Sequence, residues 1–452
     1  MRRFLNAGTL PPADAVRVEE LLNYFSYDYA APTTPDKPFS IHSELASTPW
    51  NPNTRLLHVG LKGYEVDAIQ RPAANLVFLI DVSGSMSAAN KLGLLKSSIK
   101  MLSRELTEKD RVSIVVYAGA SGVVLQPTAG DDQRTINNAL RKLNAGGSTN
   151  GAAGIELAYE LAEESMSDNS INRIILATDG DFNVGISNID DLKELIKTKR
   201  QTGIAFTTLG FGQGNFNDAL VEQLANVGNG HYAYIDTLNE ARKVLKEELT
   251  ATLLTIAKDV KIQIEFNPTQ VSEYRLLGYV NRKLANEDFA NDKVDAGEIG
   301  AGHTVTALYE IALTGEGGEW NTASRYQTSA PASALDSEIA QIRLRYKKPD
   351  ENSSRLLTRV IERNSLIKEL ANSSEVFRFS ASVAGFGQLL RQNKYLKEFD
   401  YQDAANLAQA AKGSDPYGYR SEFIQLIDLA ESLDERSQAR MTSTNPVIEN
   451  EG

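Results

Sequence analysis

Asn75-Leu76-Val77-Phe78-Leu79-Ile80 runs directly into Asp81-Val82-Ser83-Gly84-Ser85-Met86-Ser87, and a helix-forming segment begins near Lys91. The apolar run has no polar alternation, which is the pattern of a strand covered on both faces. Outward from it, further apolar strands fall at 111–117, 122–126, 172–178, 204–209 and 231–235. Amphipathic helices fall near 91–107, 132–143, 151–165, 189–201, 217–226 and 238–256. Strands alternating with helices of this length predict an α/β fold with a doubly wound, mostly parallel six-stranded sheet. The 111–117 and 122–126 pair is separated by only four residues, so it predicts a hairpin with an antiparallel edge strand.

In a doubly wound sheet of order 3-2-1-4-5-6, the first and fourth strands flank the topological switch point, where ligands bind beyond the carboxyl ends of the strands. The first strand ends in Asp81-Val82-Ser83-Gly84-Ser85 and the fourth in Thr178-Asp179-Gly180. Asp81 and Asp179 are therefore expected to be neighbours. Asp81, Ser83 and Ser85 are spaced by two, so a tight loop turns all three towards one point, and Gly84 permits the sharp backbone path. Gly146-Gly147-Ser148-Thr149-Asn150 precedes the helix at Gly151 and can bring Thr149 to the same crevice. Two carboxylates and three hydroxyls make an all-oxygen site suited to Mg²⁺, with Mn²⁺ or Ca²⁺ as alternatives. If the hydroxyls bind directly and the aspartates act through water, the metal keeps much of its charge and favours an anionic ligand from outside. A partner's Glu or Asp is the natural donor.

Composition narrows the chemistry further. The 452 residues carry a net charge of −12, no cysteine and four histidines. At roughly 150 residues per domain the length suggests about three domains. Without cysteine there are no disulfides, zinc–thiolate sites, iron–sulfur clusters or cysteine nucleophiles. His42, His58, His231 and His303 are scattered, so no paired-histidine site exists. An acidic chain without Lys/Arg clusters argues against nucleic acid as a partner. No apolar run approaches the ~18 residues of a membrane span.

Outside the α/β segment the texture changes. Residues 13–25 have helical apolar spacing. Phe39–Ala46, Arg55–Lys62, Val260–Phe266, Tyr274–Val280, Thr304–Leu313 and Glu338–Tyr346 alternate as strands of an antiparallel sandwich. From about Arg355 to Glu435 the chain reads as helical. The expected organisation is an N-terminal helical segment at 1–36, a β-rich domain built from 37–70 and 258–350, the α/β domain at 71–257 inserted into it, a helical region at 351–436 and a polar tail at 437–452.

DVSGSMS, GGSTN and ATDGD resemble the three loops of a metal-ion-dependent adhesion site in a von Willebrand factor type A domain. The match places Asp81, Ser83 and Ser85 in the DxSxS loop, Thr149 as the second-loop threonine and Asp179 as the third-loop aspartate. The resemblance implies that Ser83, Ser85 and Thr149 contact the metal through their hydroxyls, and that the aspartates bind largely through water. NAGTLPPADAVRVEELLNYFSYDY, NPNTRLLHVGLKGY, TIAKDVKIQIEFNP, DKVDAGEIGAGHTVTALYEI and FRFSASVAGFGQLLR are similar to the bacterial YfbK-type von Willebrand A proteins over nearly the whole chain. Precursors in that family begin further upstream, many with an export or lipoprotein signal. The resemblance thus implies a cell-envelope location, periplasmic or lipid-anchored, for a chain that is soluble as written.

Other features read more plainly. Gly210-Phe211-Gly212-Gln213-Gly214 lacks the full GxGxxG spacing and is not on the first strand, so it reads as a glycine-rich turn lining the crevice. The acidic run Glu287, Asp288, Asn291, Asp292, Asp295 and Glu298 does not fit an EF-hand, and ordinary turns suffice for its glycines. Asp181 and Asn183 either hold water in the site or shape its turn. His231 starts its strand at the end of the sheet away from the crevice, which excludes a Ser85–His231 hydrolase. The aromatic residues of 375–389 read as core. These observations predict a non-enzymatic, Mg²⁺-dependent protein-binding module. A Mg²⁺-dependent phosphohydrolase is the alternative, but its general acid would stand where Ser83 does, and no catalytic Lys or His is evident. A scaffold indifferent to metal is a third possibility.

Overall fold

The computed structural model describes the chain except residues 67–70, 119–120, 148–150, 168–169, 181–188, 213–217, 249–250, 252, 280–285, 292–296, 317–336, 350, 352 and 444–452. It divides into two units. One comprises Met1–Tyr64, Ala257–Gly297 and Thr304–Gly452, and the other Glu65–Ile256 and Glu298–His303.

The second of these holds the α/β fold. Its sheet has six strands in the spatial order Ser121–Ala129, Arg111–Tyr117, Ala74–Asp81, Ile171–Thr178, Ile204–Phe211, Tyr232–Ile235. All neighbours are parallel except the first pair, which is antiparallel. Ala74–Asp81 is buried along its whole length. Its side chains alternate between two cores, as the pleat requires. Leu76, Phe78 and Ile80 pack in the cluster holding Leu95, Ile99 and Leu102 of the helix Leu94–Ser103. Val77 and Leu79 pack in the cluster holding Ile155, Ala158 and Ala162 of the helix Gly151–Glu164. This double cover explains the unbroken apolar run in the sequence. The first strand of the unit is anchored by a buried ion pair. Arg71 donates to both oxygens of Asp110, at 2.7 and 2.8 Å, while Ala74 N–H and Thr107 N–H donate to the same carboxylate at 2.9 and 2.8 Å.

The other unit is layered. An antiparallel run, Val271–Leu276, Thr304–Leu313, Arg55–Gly63 and Phe39–Ser47, is extended by the short parallel strand Leu366–Ile367. A second sheet contains the antiparallel strands Thr255–Phe266, Glu338–Lys347 and Arg355–Glu362. Leu45, Leu57, Val59 and Ile311 meet Ile339, Ile342 and Ile361 in the core of the sandwich. The opposite parity of the first sheet, including Ala46, Leu56 and Leu308, joins a helical core with Leu22, Phe25, Phe377, Phe379, Phe386 and Phe423. The aromatic residues of 375–389 are therefore core, as their spacing predicts.

Three readings of the sequence need correction. Arg355–Glu362 is an edge strand paired with Glu338–Lys347, not the start of a helical region. Its apolar residues, Leu356, Leu357, Val360 and Ile361, satisfy a helical template, but only Ile361 is fully buried, and Leu356 and Val360 are exposed. The long C-terminal helices begin only at Glu375. Residues 437–443, expected as tail, continue the helix Tyr419–Ser443, and 444–452 lie outside the described residues.

A buried polar chain crosses the layers of this unit. Tyr29 Oη lies 2.6 Å from His58 Nε2 and 2.8 Å from Thr306 Oγ1, and His58 Nδ1 lies 2.9 Å from Ser380 Oγ. A Cβ on Gly60 would stand 2.7 Å from Tyr29 Cε2, so glycine admits the ring. Burial pushes the His58 imidazole down to about 3. Folded His58 thus stays neutral, while the unfolded residue takes a proton below about 6.5. Its contribution to stability is complete above that pH and is lost as pH falls, at about 1.4 kcal/mol per pH unit. Burial pushes the His231 imidazole down to about 3 as well, so denaturant melts from pH 7 to pH 4 are expected to show both contributions and His58→Gln to make the slope shallower by its own share; an unchanged slope would refute the assignment. Asp110→Ala, which strands the buried Arg71 guanidinium, is expected to lower unfolding free energy by about 3–5 kcal/mol.

Candidate metal centre at the sheet crest

The parallel register brings the candidate residues to one edge. Asp81 is the last residue of Ala74–Asp81 and pairs with Tyr117, while Ile80 pairs with Ala177, one residue before Thr178. Asp179 follows the end of Ile171–Thr178, so the first and fourth strands of the domain, adjacent in space, place both carboxylates at the switch point. Asp81 is fully buried, and Ser83 and Asp179 are nearly so; Ser85 is exposed.

Each carboxylate is held differently. Asp81 Oδ1 accepts from Ser83 N–H at 2.8 Å, and Asp81 Oδ2 accepts from Thr178 Oγ1 at 3.1 Å. Thr178 Oγ1 in turn accepts from Gly180 N–H at 3.0 Å, which fixes the turn behind Asp179. Neutral donors thus orient Asp81 without cancelling its charge. Burial pushes the Asp81 carboxyl above its ordinary value, against the hydrogen bonds from Ser83 and Thr178, and the Asp179 charge adds to the rise. Burial likewise pushes the Tyr117 hydroxyl well up, with the Asp81 charge reinforcing it. Asp179 has a charged partner: Lys91 Nζ lies 2.8 Å from Asp179 Oδ2 and 3.0 Å from the Ser85 carbonyl oxygen.

Ser83 Oγ and Ser85 Oγ are 2.9 Å apart. Adjacent oxygens around an octahedral Mg²⁺, each roughly 2.0–2.1 Å from the ion, stand about 2.9 Å apart. The two hydroxyls hydrogen-bond to each other at this distance, which is also the edge length of such a shell. Among the described residues no three His, Asp or Glu side chains gather to hold a metal. Asp81, Ser83, Ser85 and Asp179 fit a hard divalent cation by the chemistry of their oxygens, and the two serine hydroxyls are close enough to share one ion. Thr149, the fifth residue expected here, lies outside the described residues, as do Asp181 and Asn183. The loop that carries Thr149 is nonetheless tied to the site: Gly84 N–H donates to Gly147 O at 3.1 Å, and Gly146 N–H to Val82 O at 2.7 Å. Asp292 and Asp295 of the acidic run also lie outside the described residues.

Sequence reasoning missed Lys91, Thr178 and Tyr117 as parts of the site. Thr178 carried a signal, because it directly precedes Asp179 at a strand end. Lys91 carried only its place in the first turn after the loop, within Ala89–Gly93. Gly212 is the clearest glycine requirement here. Its φ is +95°, and a Cβ would press on Lys91 Cε and stand 2.8 Å from Lys91 Cγ.

The sheet order and its crest loops define a von Willebrand factor type A fold. The family model for the von Willebrand factor type A domain matches residues 75–247. A model described as "von Willebrand factor" matches 1–58, and one described as "Uncharacterized protein YfbK, C-terminal" matches 251–433. The chain belongs to the YfbK family: it is 46% identical to YfbK of Escherichia coli (strain K12) over 446 residues, 97% of this chain and 76% of that protein. It is also 25% identical over 260 residues to human inter-alpha-trypsin inhibitor heavy chain H3, covering 53% of this chain and 28% of that one. A solved von Willebrand factor type A protein from Catenulispora acidiphila is 14% identical, with a TM-score of 0.44 over 86% of this chain and 89% of that one.

Gly212→Ala is expected to destabilise the protein by about 1–3 kcal/mol through the strained φ alone, with further loss as Lys91 is displaced. Denaturant unfolding measures the change, and a variant as stable as wild type would show that Lys91 yields freely.

Proposed function

We propose that this chain is a non-enzymatic binding protein, in which a divalent cation, Mg²⁺ by preference, is held by Asp81, Ser83, Ser85, Thr149 and Asp179 and is completed by a carboxylate of a partner protein. The observation that carries the reading is the meeting of two buried or nearly buried carboxylates, Asp81 and Asp179, at the ends of adjacent parallel strands, with the hydrogen-bonded hydroxyls of Ser83 and Ser85 on the loop that follows Asp81. Bound there, the metal would supply a Lewis-acidic positive point for an external Glu or Asp side chain. The protein's part is preorganisation. Ser83 N–H and Thr178 fix the Asp81 carboxylate, and the two serines offer neutral oxygens that add no negative charge. Neutral donors leave an incoming carboxylate attractive to the site, which is the electrostatic requirement for ligation from outside. Ser83 also stands where a phosphohydrolase would need an acid, which favours binding over turnover. By resemblance to its family, the binding takes place in the bacterial cell envelope.

Isothermal titration with Mg²⁺ tests the reading. Wild type is expected to bind one ion, and Ser83→Ala/Ser85→Ala to lose at least tenfold in affinity. Equal uptake by both proteins would refute it. Capture of a partner from an envelope fraction is expected to be abolished by EDTA and restored by Mg²⁺.

A further inference from the structure

Lys91 is built into the crest. Its ammonium bridges Asp179 Oδ2 and the Ser85 carbonyl at 2.8 and 3.0 Å, and its side chain is only 17% exposed. The stem lies against Gly212, where any larger residue would displace it, and the Tyr234 hydroxyl donates to Gly212 O and holds that turn. The lysine therefore touches both aspartate-bearing loops, through Ser85 on one and Asp179 on the other.

We propose that Lys91 is a tethered cation of the candidate metal centre, one that holds Asp179 when no divalent ion is bound and must yield or share Asp179 when one binds. The inference rests on the reading of this crest as a metal site. Two consequences follow from Coulomb's law. Without the ion, the two carboxylates and one ammonium among the described residues sum to one negative charge. With it, the crest carries one positive charge. Lys91 thus reverses the sign of the site on loading, so a partner carboxylate is repelled by the empty crest and attracted by the loaded one. A neutral residue at 91 would leave the loaded crest without net charge. The second consequence is competition. An ammonium within a few ångströms of a divalent ion opposes it even at high effective dielectric, so metal affinity is set below that of the same oxygens without the lysine.

The test compares wild type with Lys91→Met and Lys91→Arg, using Mg²⁺ titration calorimetry and thermal melts with EDTA or saturating Mg²⁺. Lys91→Met is expected to bind Mg²⁺ about tenfold tighter. It is expected to melt below wild type in EDTA, because the carboxylates lose their counter-ion, and the gap is expected to close in saturating Mg²⁺. Lys91→Arg, which keeps the charge, is expected to bind Mg²⁺ nearer to wild type. Should Lys91→Met not fold, Lys91→Gln, which keeps a donor for the Ser85 carbonyl, is expected to show the same gain in affinity. Equal or weaker Mg²⁺ affinity in the neutral variants, or a melting gap that Mg²⁺ does not change, overturns the role of Lys91 and leaves the metal site standing. Absence of Mg²⁺ binding in wild type and variants alike overturns the metal site and, with it, this role.

Discussion

Two carboxylates converge at the carboxyl edge of one parallel sheet, and the rest of the crest is arranged around that fact. A buried charge is tolerated only where it is hydrogen-bonded or paired. Asp81 and Asp179 meet the requirement by opposite means. Asp81 takes neutral donors, Ser83 N–H and Thr178 Oγ1, which fix its orientation and leave its charge intact. Asp179 takes the ammonium of Lys91. The glycine-bearing loops serve this arrangement: Gly84 N–H ties the serine loop to Gly147 O, and Gly212 leaves the space that the Lys91 stem fills. Parallel register does the placing, since it sets Ile80 beside Ala177 and so delivers Asp81 and Asp179 to the same end.

The sheet and the carboxylates were legible because each depends on a short, local pattern. An apolar run followed by DxSxS, and another followed by Asp-Gly, mark the ends of Ala74–Asp81 and Ile171–Thr178 in this chain. Strand order then needs only the doubly wound rule. The role of Lys91 was not legible, because it exists only when the turn at Gly212 packs against the Lys91 stem and Asp179 reaches its ammonium. No spacing within 81–91 encodes that packing. Arg355–Glu362 failed for a different reason. Its apolar residues recur at the i, i+1, i+4, i+5 positions of a helix, and only pairing with Glu338–Lys347 makes it a strand. The result is an edge strand with Leu356 and Val360 exposed, as expected when tertiary pairing overrides a local period.

The layered unit shows the same contest between local pattern and long-range pairing, with pairing in agreement. In Phe39–Ser47 and Arg55–Gly63, neighbouring residues go to different cores: Leu45 and Leu57 to the sandwich, Ala46 and Leu56 to the helices. A sheet covered on both faces can afford few polar side chains, and those it buries are linked. Thr54 and Arg275 both donate to the buried Glu310, and Tyr29, His58, Thr306 and Ser380 form a continuous chain. Such networks are worth most when every member is satisfied. They tie the segment before the first strand, Tyr29, to the helix that contains Ser380, some 350 residues later. The N-terminal and C-terminal helical segments are thus parts of one core, although the α/β segment separates them in sequence.

The serine at position 83 decides what kind of chemistry the crest can support. Were it a carboxylate, the site would hold three negative groups around one ion and would suit a reaction that needs a general acid. As a serine it brings an uncharged hydroxyl, hydrogen-bonded to that of Ser85 at 2.9 Å. With Asp179 already balanced by Lys91, the oxygens facing the crevice are mostly neutral, and a hard cation placed among them is under-neutralised. An under-neutralised cation on an acidic protein of net charge −12 is a local exception to the surrounding field. On the function proposed here, such a cation would direct an acidic partner to one point of an otherwise acidic protein, so the charge balance that would weaken metal binding would also sharpen where a ligand docks.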